Sequence, residues 1–391
     1  MTFVWFSLAA ICLVIAMWPF GPYQLSLALA RRLHRFTPVP QATGREPASF
    51  AVCLCAYNEA GCIEEKMQDL FRLREACGGE LDIHVYVDAA DDGTAEILRP
   101  YEGMIDLVVS PERRGKTHGM DLLIDRARAE IIIFTDANVL VDHNAVSVLR
   151  RWFTDPTIGC VCSDLSYVNA QSSSTASTGA AYWRFNEWSK ELETSTGSVI
   201  GADGSLFAIR RSLHAPVPGG LMDDIYRSLW ILCAGYRVVR APELRAYEPH
   251  TTIAGDEFRR KVRIACECTH VHFTLWSRLK KLDAWHLYKY VAHRLLRWLC
   301  GFFLLASAVF ALAFVASLIG ILPTAVLVVA GGLGFFLALR LRVKIVDKLW
   351  NAVLAIAGAS IGVFRAFRGE RAVTWDVAPS SRPPMQPGRT S

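Results

Sequence analysis

Between positions 50 and 140, short polar segments follow apolar runs, and their acids and one lysine are the residues equipped for chemistry. Asn58 and Glu59 follow Phe50 to Cys55, and Asp88, Asp91 and Asp92 follow Ile83 to Val87. Arg113, Arg114 and Lys116 follow Ile105 to Ser110, and Asp136 and Asn138 follow Ile131 to Phe134. Carboxylates accept hydrogen bonds from ribose hydroxyls or a base N–H, and a hard divalent cation takes oxygen ligands while bridging phosphates. Lys116 can then neutralise part of a diphosphate. Asp203 and the pair Asp223-Asp224 extend the acidic set. Each acid also has an ordinary reading. Asp88 can end a strand, Asp91-Asp92-Gly93 can be a turn, and Asp136 or Asp223-Asp224 can cap helices. Neither GxGxxG nor a P-loop occurs, so dinucleotide and P-loop chemistry lack support. His270-Val271-His272 has metal-compatible spacing but no thiol or carboxylate pattern beside it. Tyr182, Trp183 and Trp188 are spaced either to stack on a sugar or to pack.

These segments need a scaffold that brings them to one edge. Phe50 to Cys55, Ile83 to Val87, Ile105 to Ser110 and Ile131 to Phe134 read as buried strands. Helical stretches at 63–76, 94–98 and 118–129 separate them. Strands alternating with helices imply an α/β domain with a mostly parallel central sheet. Ligands of such sheets bind outside the carboxyl ends of the strands, where the polar segments lie. Cys53/Cys55 and Cys160/Cys162 alternate as small core residues on one strand face would. No CxxC framework accompanies the 11 cysteines, which fits reduced thiols.

Of the 391 residues 52 % are apolar and 20 % charged, a balance shifted toward membrane proteins. Residues 1–30 and 298–339 carry no charge. The first run is followed by Arg31, Arg32 and Arg35 rather than preceded by a cation, so it reads as a retained anchor with the next domain in the cytoplasm. The second is 42 positions, about 63 Å of helix, enough for two crossings around a turn at Gly320 to Pro323. Leu349 to Phe364 is basic on both sides and reads as a re-entrant, interfacial or third crossing helix. The net charge of +5 gathers beside these runs, which suits lipid headgroups and excludes a nucleic-acid face. No ionisable residue marks a transport pathway inside them. The organisation expected is an anchor at 1–30, a cytoplasmic domain at 45–255, amphipathic helices at 256–294, a hairpin at 295–340, a membrane helix at 345–366 and a disordered tail at 379–391.

The ordered set of motifs resembles the family 2 glycosyltransferases, in particular the membrane-bound synthases of β-linked polysaccharides of the poly-N-acetylglucosamine, hyaluronan and chitin-oligosaccharide type. Ala56-Tyr57-Asn58-Glu59 is similar to the family's "PAYNE" loop. Asp88 to Thr94 resembles its "DGSTDGT" segment, with Asp88 and Asp92 on the two aspartates. Arg114-Gly115-Lys116 resembles "RxGK", and Thr135-Asp136-Ala137-Asn138 stands at the metal-binding DxD. Gly201 to Arg211 is similar to the acceptor-side "GxxGALFAIRR" segment, and Met222-Asp223-Asp224 to "TED". Two departures stand out. Asn138 replaces the second DxD acid, and Ile264 replaces the tryptophan of "QxxRW", a motif that keeps Arg263 beside Arg260.

The resemblance implies a GT-A domain with N- and C-terminal transmembrane helices in the bacterial inner membrane. It implies an inverting transfer from a nucleotide-diphosphate-sugar, a UDP-sugar by preference, to a glycan in cell-surface or exopolysaccharide synthesis. Asp224 is expected as general base with Asp223 beside it. Asn58, Glu59, Asp88, Asp92, Lys116, Asp136, Asn138, Asp203, Arg260 and Arg263 are expected at the donor, and Asp136 and Asn138 at a Mg2+ or Mn2+ ion. Expected partners are the donor, a glycan or lipid-linked acceptor, membrane lipids and other subunits of a synthesis or export system, with no nucleic acid. Two alternatives stay open: single addition to a lipid-linked acceptor or glycolipid, and an inactive nucleotide-binding subunit.

Overall fold

A computed structural model describes residues 2–34, 36, 39–169, 174–249 and 253–371. Positions 35 and 379–391, named above as a flanking base and as the tail, lie outside the described residues.

The apolar runs do form a parallel sheet. Strands β1 (Phe50–Ala56), β2 (Leu81–Asp88), β3 (Asp106–Ser110) and β4 (Ile131–Thr135) pair parallel in the order β3-β2-β1-β4. All seven residues of β1 are buried, as a strand covered on both faces requires. The covering helices nearest the site are α3 (Ile63–Ala76), the short α4 (Thr94–Leu98) and α5 (Lys116–Arg126). Counted in chain order, α1 (Thr2–Met17) and α2 (Pro22–Leu33) precede them, and α6 (Ala145–Trp152) follows.

The sheet then changes direction. Strands β5 (Leu140–Val141), β6 (Ile158–Tyr167), β7 (Leu206–Arg210) and β8 (Arg237–Glu248) extend it to eight, in the order β3-β2-β1-β4-β7-β6-β8-β5. β7 runs antiparallel to both β4 and β6, while β6 and β8 are parallel. Helices α7 (Ser174–Ser195) and α8 (Asp223–Cys233) pack on this half. The reversal at β7 turns the chain back, so that the loop before β7 and the start of α8 meet the carboxyl ends of β1, β2 and β4.

Helix α9 (Ala254–Leu279) buries Ala265, Cys268, Val271, Leu275 and Leu279 in the core beneath the sheet. It is followed by α10 (Ala284–Lys289), a π-helical turn at Tyr290–Leu295, α11 (Leu296–Ile319), α12 (Ile321–Arg340) and α13 (Lys344–Phe367). Among the described residues four helical segments are long and apolar enough to cross a membrane: Thr2–Phe20, Ala284–Ile319, Ile321–Arg340 and Lys344–Phe367. The last is 24 residues, longer than the 16-residue apolar run because its first turns carry Lys344, Asp347 and Lys348. Gly358 and Gly362 let α13 lie close on α9, with a Cβ at Gly358 only 3.3 Å from Lys261 and Phe258. All 11 cysteines are free, and Cys53, Cys55, Cys160 and Cys162 are buried.

Candidate functional site

The acids and bases singled out by type meet at the carboxyl ends of the parallel strands. Asp88, at the end of β2, is wholly buried, and its two carboxylate oxygens accept the backbone N–H groups of Arg114 (2.7 Å) and Gly115 (3.0 Å). It therefore holds the turn that launches α5. Gly115 sits at φ +88, a conformation open to glycine and strained for other residues. The turn aims Lys116 across the sheet, where Nζ lies 2.9 Å from Asp136 Oδ1 and 3.8 Å from Asp223 Oδ1.

Asp223 and Asp224 occupy the first turn of α8 and are 4 % and 6 % exposed. Asp224 Oδ1 accepts the Ile225 N–H at 2.7 Å. Burial, then the charge of Asp223, raises the Asp224 carboxyl to about 8, against the opposing pull of Lys116. Burial alone would lower Lys116; Asp136 and then Asp223 outweigh it and hold the ammonium above its ordinary range. One oxygen of Asp223, Oδ2, is buried with no hydrogen-bond partner among the described residues. Gly204 leaves room above this pair: a Cβ there would lie 3.2 Å from Asp224 Oδ2 and 3.7 Å from Lys116 Nζ. Next to Gly204, Asp203 is fixed by Lys190 of α7, while its Oδ1 is buried without a partner among the described residues.

The flanking candidates split into two groups. Asn58 and Asp91 bond reciprocally, Asp92 accepts Ala60 N–H at 2.9 Å and caps Thr94, and Glu59 N–H bonds Thr94 Oγ1. These contacts brace the loops after β1 and β2 against each other. On the other flank, Asn138 is buried and its amide donates to Glu248 Oε1 at 3.3 Å, while Ser205 Oγ reaches Glu248 Oε2 at 3.0 Å. Arg260 of α9 bonds Tyr167 and feels the charge of Glu248, and Arg263 lies 3.9 Å from Glu267. Burial raises Glu267 to about 7, with Arg263 opposing and Asp223 adding to the rise. The two arginines thus border the same rim from the amphipathic helix.

Several members have no signature in the linear chain. Glu248 closes β8, Lys190 lies on α7, and Lys66 of α3 is fully buried beneath the Asp136 turn, donating to Val139 O at 2.6 Å and Thr135 Oγ1 at 3.3 Å. Glu267 was the most accessible to inspection, being four residues from Arg263 on one helix face. His270 and His272 have structural partners instead, Glu370 O and Tyr290 Oη.

A divalent cation fits one side of this arrangement. Asp136 presents a carboxylate that is 33 % exposed, and the orphaned Asp223 Oδ2 points to a second oxygen ligand beside Lys116. One or two carboxylates completed by substrate phosphates is the usual protein share for such an ion. Among the described residues no group of three or more His, Cys, Asp or Glu forms an all-protein cage.

A parallel sheet with acids at its carboxyl rim, crossed by an antiparallel strand and followed by apolar helices, defines a GT-A transferase scaffold. Residues 51–216 match the family model described as Glycosyl transferase family 2. Among curated proteins it is similar to a poly-beta-1,6-N-acetyl-D-glucosamine synthase of Staphylococcus aureus, 24 % identical over 219 residues, 54 % of this chain and 52 % of that protein. An N-acetylglucosaminyltransferase of Rhizobium sp. is 23 % identical over 236 residues, covering 56 % and 52 %. The chain thus spans about half the length of these relatives. Among solved structures, a mannosyltransferase from Pyrobaculum calidifontis in complex with GDP-Man and Mn2+ superposes with a TM-score of 0.67 at 24 % identity, over 93 % of this chain and 100 % of that one. That likeness shows the fold.

Proposed function

We propose that the protein transfers a sugar, with inversion, from a UDP-sugar to a glycan acceptor in cell-surface polysaccharide synthesis, with its catalytic domain on the cytoplasmic side of the inner membrane. The observation that carries this reading is the meeting of Lys116, Asp136, Asp223 and Asp224 beneath the opening left by Gly204. Lys116, with Arg260 and Arg263 at the rim, faces the donor diphosphate. Asp88 acts by holding the Lys116 turn, and Asn58, Glu59 and Asp92 by bracing the nucleoside side. A divalent cation on Asp136 would offset diphosphate charge.

Asp224 receives the acceptor hydroxyl proton as that oxygen bonds to the anomeric carbon. The electron pair of the breaking carbon–oxygen bond passes to the diphosphate, whose charge meets Lys116. A base contributes about 10²–10⁴-fold, and a carboxyl raised to about 8 by burial and Asp223 lies close enough to neutral pH for its ionised fraction to accept the proton. Asp203 is proposed to meet the acceptor through its unpartnered oxygen. Basic residues at both outer ends of the α11–α12 hairpin support the cytoplasmic orientation.

A second reading, single addition to a lipid-linked acceptor, is favoured by one observation. Ile264, where polymer-gripping relatives carry tryptophan, packs against the core instead of offering an indole to a glycan. Product analysis after incubation with radiolabelled UDP-N-acetylglucosamine and membrane lipid separates the two. A ladder of lengths supports polymer synthesis, and one labelled species supports single addition. No label transfer from any nucleotide-sugar would refute both.

A further inference from the structure

Where the domain joins its apolar helices, basic side chains converge on one tyrosine. Tyr182 lies on α7. Lys261 Nζ stands 5.1 Å from its ring centroid and Arg297 Cζ 5.6 Å. Arg297 Nη1 donates to Tyr182 Oη and to Asn186 Oδ1, each at 3.0 Å. The remaining edge of that guanidinium, Nε and Nη2, is buried and has no hydrogen-bond partner among the described residues. Those two N–H groups point the same way and form the fork that grips a phosphate or carboxylate bidentately.

The local field has the matching sign. Burial alone would raise the Tyr182 phenol, yet Arg297, Lys261 and Arg294 outweigh it and hold the group below its ordinary value. Glu257, 3.4 Å from Lys261 Nζ, offsets part of that charge.

The position selects the kind of anion. Arg297 lies in the first turn of α11, within the apolar segment Ala284–Ile319, and its Cζ lies 5.8 Å from the ring of Phe20 at the end of the N-terminal apolar segment. Gly358 of α13 packs against Lys261 from the third side. Three membrane-length segments therefore border the site. Basic pockets between such helices are where anionic headgroups are held. We propose that Arg297, Lys261 and Tyr182 bind the phosphate of a phosphate-bearing membrane lipid, whose acyl chains lie along α11 and α13. One turn before Arg297, Arg294 bonds the carbonyls of Ile200 and Gly201, the latter at 2.7 Å, so the site adjoins the loop that carries Asp203.

The test is lipid binding, which stands apart from sugar transfer. The full chain in neutral detergent is titrated with dioctanoyl phosphatidic acid, dioctanoyl glycerol and inorganic phosphate, read by native mass spectrometry and thermal shift. Saturable binding of the phosphatidic acid alone is expected. Arg297→Gln weakens it about tenfold, and Arg340→Gln, at the far end of the hairpin, leaves it unchanged. Lys261→Met, which keeps the Arg297–Tyr182 bond, weakens it about fivefold and guards against misfolding of the first variant. Equal binding of dioctanoyl glycerol, equal binding of inorganic phosphate, or wild-type affinity in both variants would overturn the proposal.

Discussion

Replacing Asp224 by asparagine should make the protein more stable while abolishing transfer. Its carboxyl ordinarily ionises near 3.8 and is raised to about 8 by burial and by Asp223. Between those values the folded chain keeps a proton that the unfolded chain has released. Native protein then binds more protons than denatured protein, so stability falls as pH rises from about 4 to 8. At pH 7 roughly three units separate the solution from the unfolded value, and at 1.36 kcal/mol per unit the ceiling is about 4 kcal/mol. With the effective dielectric of about 20 that describes even buried sites, about 1–2 kcal/mol is the working expectation. Asparagine keeps an oxygen for the Ile225 N–H and carries no charge beside Asp223. For a domain of this size the thermal midpoint should rise by about 2–8 °C at pH 7–8, with the difference closing near pH 4. Thermal unfolding of both forms in one detergent, followed from pH 4 to 8.5, reads this directly. Transfer should fall by about 10²–10⁴. A variant that is less stable at pH 8 than wild type, by the same margin as at pH 5, would show Asp224 to be an ionised helix cap and refute the reasoning.

Lys116→Met should weaken nucleoside-diphosphate binding about 10- to 100-fold, as loss of a charge-assisted contact implies; calorimetry giving wild-type affinity would contradict the assignment. Gly204→Ala should lower kcat/KM about tenfold with the thermal midpoint nearly unmoved, because its methyl would sit 3.2 Å from Asp224 Oδ2; unchanged kinetics would mean the acceptor does not approach there. Lys66→Met strands Asp69 and the Val139 carbonyl in the interior, so a loss of about 3–5 kcal/mol is expected; a thermal midpoint lowered by less than 2 °C would contradict the burial of that ammonium.

The parallel half of the sheet was legible because its strands are buried on both faces and read as unbroken apolar runs, β1 most plainly. The loops after them were legible because glycine, asparagine and aspartate gather where turns must form. The antiparallel half was not. Whether β7 pairs with β4 or with a parallel neighbour depends on contacts between residues 71 to 79 positions apart, such as Ile132 with Ile209, which no local pattern encodes. A larger separation, 110 positions, hides Glu248, which reaches Asn138 only through the fold. Lys66 misleads for another reason. On an amphipathic helix a lysine reads as solvated, yet the turn after β4 offers it a carbonyl and a hydroxyl that satisfy a buried ammonium. Asp88 carries a contact that its motif did not announce, since both its oxygens accept N–H groups of the backbone turn that positions Lys116.

The proposed transfer requires acids and a lysine from separate loops to act together on an activated sugar. The most direct measurement is nucleoside-diphosphate release from a panel of UDP- and GDP-sugars by the detergent-solubilised protein, with and without Mg2+ or Mn2+, in wild type and Asp224→Asn. The account predicts release from at least one donor, dependent on the divalent ion, lost in Asp224→Asn while that variant still binds the nucleotide. Nucleotide binding with no release from any donor in wild type would make the protein a silent nucleotide-binding subunit and contradict the account.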